Sequence, residues 1–186
     1  MKESQIGSAT PQYNPITLEI VPQDPQDADP ALIHAVGRDT SAALGNDGYV
    51  IEPLYTNQRS GFLVEVTPLL NTVAADIWAQ KDIILGDLSA LVTILSAAVP
   101  IIKHLRKAYE KRVEKQSMRQ EPIKITIEID GSPILIEVPD VENAEGILKL
   151  AQHIQANHPI VAGKVTPQSK LNIKGHVPKR SLPKRR

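Results

Sequence analysis

The residues able to do chemistry are few and scattered along this 186-residue chain. Five histidines, His34, His104, His153, His158 and His176, offer bases or metal ligands. Joint ligation from one helix needs a shared face, and His153 and His158, five apart, fall on different faces. Asp24, Asp27 and Asp29 cluster in QDPQDADP, but the stretch lacks the glycine and the terminal glutamate of a calcium loop, so it reads as a solvated turn. Glu128 and Glu137 could oppose one another across a hairpin; a polar outer sheet face is the favoured reading. Gly163-Lys164 has no upstream glycine and is followed by Val165, which excludes a phosphate loop. A dinucleotide glycine fingerprint and a nucleophile elbow are also missing. The expectation is a protein that is not an enzyme and has no catalytic, cofactor-binding or metal-binding residues.

The elements that would position any site are built from aliphatic residues. Aromatic content is 3 %, so the core must come from Ile, Leu and Val, each worth roughly 1.5–3 kcal/mol when buried. Without cysteine there are no disulfides and no thiolate zinc sites, which suits a cytoplasmic protein. The polar start MKESQIGSATPQYNP is not a secretory signal. Formal net charge is zero but unevenly spread. Residues 159–186 hold eight Lys/Arg and no acid, while the other thirteen basic residues face all twenty-one acids.

The pattern predicts an α+β fold in five parts. Residues 1–15 form a flexible arm. Residues 16–86 form an N-terminal β/α unit. Its first strand alternates Ile16, Leu18 and Ile20 with Thr17 and Glu19. Asp29 caps a helix with Pro30 in first position, and Leu32, Val36, Thr40 and Ala43 share one side until Gly45. After the turn Asn46-Asp47-Gly48 comes a strand from Tyr49 to Tyr55, where Pro53 favours a sheet edge or a bulge. A further strand, Phe62 to Val66, leads through Thr67-Pro68 into a helix aligning Leu69, Leu70, Val73, Ile77 and Ile84. Residues 120–158 form a ββα unit. Ile123, Ile125, Ile127 and Ile129 alternate with polar residues, Asp130-Gly131 turns, and Ile134, Ile136 and Val138 return. The hairpin's greasy face needs a cover, which Ile147, Leu150, Ala151 and Ile154 of a helix from Ala144 to Asn157 supply, with Asn143 as cap.

The two units are joined by a central helix, residues 87–119, that starts apolar and ends charged. From Leu88 to Ile102 there is no ionisable residue; Lys103, His104, Arg106, Lys107, Glu110, Lys111 and Arg112 follow. Pro100 predicts a kink, and Leu105, Tyr109 and Val113 leave a narrow apolar stripe on the charged half. Fifteen residues make about 22 Å of helix, short of a hydrocarbon core of about 30 Å. Burial in protein is therefore the favoured reading and insertion into a membrane the alternative. Because two small units cover only part of a helix that is apolar all round, a homo-oligomer is expected, with copies meeting through Ser89, Thr93 and Ser96 beside Leu91 and Leu95.

Residues 159–186 hold four prolines and no helical period, and read as an extended basic tail. Lys179, Arg180, Lys184, Arg185 and Arg186 could touch nucleic acid or anionic lipid by charge alone. No aromatic side chains accompany them for base stacking.

The element order from about Ile16 to Asn157 resembles the effector-associated constant component family of bacterial conflict systems. The similarity lies in ILGDLSALVTILSAAVPIIKHLRKAYEKR, IKITIEIDGSPILIEV and AEGILKLAQHI. The resemblance implies a non-enzymatic adaptor or assembly module in bacterial defence or signalling, partnered with a protease or another effector. It supplies no catalytic residue.

Overall fold

The computed structural model describes residues 14–54, 61–68, 88–115, 121–136, 144–166 and 168–179. Its strands are β1 (Ile16–Pro22), β2 (Tyr49–Pro53), β3 (Phe62–Pro68), β4 (Lys124–Ile129), β5 (Ser132–Ile136) and β6 (Leu171–Val177). Its helices are α1 (Pro30–Asn46), α2 (Ser89–Lys115), α3 (Ala144–Asn157) and the single turn α4 (Pro159–Ala162). The fold class is α+β.

All six strands belong to one sheet, in the order β2-β3-β1-β6-β4-β5. Strand β6 lies parallel to β1 and antiparallel to β4, and every other pair is antiparallel. This corrects the reading of residues 159–186 as a tail. Leu171, Ile173, Gly175 and Val177 alternate with Asn172, Lys174 and His176, a strand period of two. The tail's four prolines all fall outside Leu171–Val177. Rather than hanging off a two-unit body, this stretch is the seam between the two halves. Ile173 is completely buried.

One face of the sheet carries the helices. Its buried residues are Ile16, Leu18 and Ile20 of β1, Val64 and Val66 of β3, Ile125, Ile127 and Ile129 of β4, and Leu171, Ile173 and Val177 of β6. Gly175 belongs to the same row, and a Cβ there would lie 2.8 Å from a Leu105 methyl. Glycine in mid-strand costs sheet propensity, but here it lets α2 approach β6.

Helix α1 begins as its local sequence dictates. Asp29 accepts a hydrogen bond from the Leu32 N–H at 3.1 Å, and Pro30 opens the first turn. The helix runs two residues past Leu44 before the turn at Gly48, whose φ of 88° lies in the left-handed region. Gly37 receives the Phe62 ring, which a Cβ would approach to 2.3 Å. Between β4 and β5, Asp130 (φ 49°) and Gly131 (φ 80°) form a two-residue turn with both φ values positive, the geometry that suits a twisted hairpin. In its register Glu128 faces Pro133; Glu137 lies outside the described residues. Asp130 also fastens the hairpin to β6: its N–H donates to the Lys170 carbonyl, and its carboxylate accepts the Lys170 N–H at 2.8 Å.

Helix α2 continues through Pro100. Along its charged half Leu105, Tyr109 and Val113 are buried, and the Tyr109 hydroxyl donates to the Glu121 carbonyl at 2.9 Å. Arg112 holds Asp39 of α1 through two hydrogen bonds of 2.7 Å, and His104 meets Asp47 at 2.6 Å. The Arg112 guanidinium keeps the Asp39 carboxyl below its ordinary pKa. In α3, Ile147, Leu150, Ala151 and Ile154 are buried in the same core as the isoleucines of β4.

The apolar half of α2 is covered within the single chain. Leu91 is 1 % exposed and Leu95 0 %, and Ser96 is buried with its hydroxyl donating to the Val92 carbonyl at 2.6 Å. Leu91, Leu95 and Ser96, expected where copies of the chain meet, are buried in the chain's own core. Thr93 is half-buried, and the Ser89 side chain lies outside the described residues. So do the expected helix from Leu69 to Ile84, the cap at Asn143, residues 1–13 of the arm, and Arg180, Lys184, Arg185 and Arg186. No helix among the described residues is long and apolar enough to cross a membrane.

Candidate interaction surface

Two parts of the surface bring together polar groups from distant points in the chain. The first is the sheet face opposite the helices. Side chains of odd and even strand positions point to opposite faces, so burying Leu18, Ile127 and Ile173 turns Glu19, Glu128 and Lys174 the other way. Register aligns them: Lys174 pairs with Glu19 on β1 and with Thr126 on β4, and Asn172 pairs with Glu128. Lys174 Nζ lies 3.1 Å from Glu19 and 3.5 Å from Glu128, and the Asn172 amide donates to Glu128 at 3.0 Å. His176 shares a 3.1 Å hydrogen bond with the Thr126 hydroxyl.

These groups spend their charge on one another. Partial burial works against the charged form of Lys174, yet the two flanking carboxylates outweigh it and leave its pKa raised. Burial, with Lys174 nearby, pushes the His176 pKa down, favouring the neutral imidazole. The row is a set of mutually satisfied charges that lets Lys174 of β6 sit between Glu19 of β1 and Glu128 of β4.

The second part is a groove of about 460 Å³ beside the edge strand β2. Its walls are His34, Arg38 and Ser41 from α1, Ile51, Pro53 and Leu54 from β2 and its end, and Phe62 to Val64 of β3. On α1, His34 and Arg38 are four apart and therefore neighbours on one side. The His34 ring stands edge-on to Phe62, with centroids 6.1 Å apart and planes at 82°. Arg38 is exposed and makes no ion pair among the described residues. The Ser41 hydroxyl is shielded from solvent and has no hydrogen-bond partner there.

The backbone of β2 completes this site. The Leu54 N–H donates to the Leu63 carbonyl at 3.2 Å. Hydrogen-bonded pairs alternate along an antiparallel ladder, so Val50, Glu52 and Leu54 bond to β3 while Tyr49, Ile51 and Pro53 turn their backbone groups outward. Nothing among the described residues pairs with that outer edge. The edge therefore presents two N–H donors, from Tyr49 and Ile51, and carbonyls from all three residues. Pro53 has no N–H to lose, which is why an edge tolerates it there.

Comparison with protein-family models, with curated proteins and with solved structures finds no match for this chain.

The residues singled out from sequence fall elsewhere. Lys179 is 2.6 Å from Asp27, an ion pair at the surface. His153 contacts Asn157 of its own helix. No group of metal-ligating side chains is assembled among the described residues. Sequence reasoning counted His34 only among the possible bases or metal ligands, and missed Arg38 and the β2 groove. The signals available were the four-residue spacing of His34 and Arg38 on the polar side of α1, and Pro53, which already marked β2 as an edge.

Proposed function

We propose that this chain is a non-enzymatic adaptor that recruits a partner protein through the β2 edge and the groove beneath it. The observation that carries the reading is the coincidence at one place of an apolar groove with a strand edge and a guanidinium that have no partner among the described residues. An added strand gains affinity from backbone hydrogen bonds and specificity from side chains in such a groove. The resemblance to effector-associated constant components supplies the context: a cytoplasmic bacterial defence or signalling system in which the partner is a protease or another effector. Self-association through α2 is not carried forward, because its apolar residues are occupied by the chain's own core.

The test is a calorimetric titration of the purified chain against purified effector proteins encoded beside it. Saturable association that leaves the effector's active site free supports the adaptor. If none of those proteins binds, the reading fails.

A further inference from the structure

We infer that the β2 edge binds an extended, acidic segment of a partner protein, added as a seventh strand with a carboxylate side chain at Arg38. The inference deepens the adaptor reading and rests on it. Along the edge the outward backbone groups are those of Tyr49, Ile51 and Pro53, every second residue, which is the repeat an incoming strand needs. The side chains of Ile51 and Pro53 face the same way as Val66 and Val64, toward the helix side of the sheet. An added strand would set alternate side chains against them and over the groove.

Charge selects the occupant. The polar wall of the groove is built from His34, Arg38 and Ser41, with no acid among its lining residues. The acids nearest in sequence are engaged or turned away: Asp39 is held by Arg112, and Glu52 pairs with Glu65 on the opposite face of the sheet. Arg38 lies in a half-apolar setting where a guanidinium–carboxylate pair gains from reduced screening. A second copy of this chain fits less well. Two β2 strands paired about a two-fold axis at Ile51 would bring two Arg38 side chains to the same interface, like charge against like. Pro53, lacking an N–H, would also remove two of the bonds across that axis.

Pro53 limits how far the added strand can run. Among the described residues Tyr49 and Ile51 supply the outward donors and Pro53 supplies none, so the complementary stretch is about as long as β2 itself. The groove lining lies toward the Pro53 and Phe62 end. The acid is therefore expected at that end of the segment, and apolar β-branched residues over Ile51.

The test uses a short capped peptide that alternates valine and threonine, carries one glutamate on its valine side, and has no free terminal charge. Amide exchange on the full chain, read by NMR, gives the pattern. Tyr49 and Ile51 amides should gain protection on adding the peptide, whereas Val50 and Glu52, already bonded to β3, should not change. Replacing the glutamate by glutamine should weaken binding about tenfold. Arg38→Glu should abolish binding of the glutamate peptide and confer binding of its lysine counterpart. Protection of all four β2 amides alike, or none, overturns the strand addition. Binding indifferent to Arg38→Glu overturns the acidic specificity. If Tyr49 and Ile51 become protected as protein concentration rises without peptide, with a matching shift in sedimentation, the occupant is a second copy and the inference falls. An effector that engages β2 but binds equally well to the Arg38→Glu chain would sink this inference and leave the adaptor reading standing, whereas one that binds without engaging β2 would sink both.

Discussion

The open sheet face and the β2 groove both carry cations, and they use them in opposite ways. Lys174 lies between Glu19 and Glu128, with 26 % of its side chain exposed, and its charge is consumed inside the fold. Arg38 lies beside an apolar groove with no carboxylate opposite it. Sequence alone ranks them the other way round, because Lys174 belongs to a run of unopposed basic residues and Arg38 is followed at once by Asp39. The contrast teaches that charge imbalance along a chain says little about charge imbalance in space. A strand borrows its counter-ions from neighbours distant in sequence, and a helix can treat adjacent charges differently: Asp39 goes to Arg112, while Arg38 makes no ion pair among the described residues.

The comparison breaks first if β6 is not part of the core. Ile173→Ala should cost about 2–5 kcal/mol in chemical denaturation, the range for truncating a fully buried aliphatic side chain. A loose tail would show almost no change. The next effect in size tests the charged row. Lys174→Met leaves Glu19 and Glu128 without their shared cation and should cost about 1–2 kcal/mol, between the values for exposed and buried pairs.

His176 sharpens the same comparison through pH. Its folded pKa is held below the ordinary 6.5, by burial first and Lys174 second. The unfolded chain therefore takes up this proton before the folded one does, and stability attributable to His176 is present above about pH 6.5 and lost as pH falls through the depressed folded value. His176→Gln should flatten the stability curve over that window and leave it parallel to wild type above pH 7. A curve equally steep in the variant would place the acid sensitivity elsewhere. The smallest stability effect belongs to the groove. Arg38→Ala should change stability by no more than about 0.5 kcal/mol, as at exposed sites free of structural partners.

What could be read from the sequence followed its periodicity. The β4–β5 hairpin and α3 are legible because isoleucines recur at the period of each element, and Asp29-Pro30 announces α1. Strand β6 carries the same kind of signal in LNIKGHV, but the surrounding prolines and the eight basic residues masked a seven-residue alternation. Its partners, β1 and β4, are more than forty positions away at the nearest, so no local pattern reveals that it joins them. The cover over Leu91 and Leu95 was underestimated for the same reason, since two separate units offer less surface than the single sheet β6 creates. The groove needed α1 to be set against β2 and Phe62, with Gly37 admitting the ring, a tertiary arrangement that spacing along the chain does not contain.

The most direct test sets the two cations side by side. Lys174→Met and Arg38→Glu would each be measured for thermal stability and for affinity toward the same acidic capped peptide. The account predicts a crossed result: Lys174→Met melts earlier and, once folded, binds as wild type does, while Arg38→Glu melts as wild type does and does not bind. An Arg38→Glu protein that melts early, or a folded Lys174→Met protein that has lost the peptide, would contradict the assignment of one cation to the fold and the other to the partner.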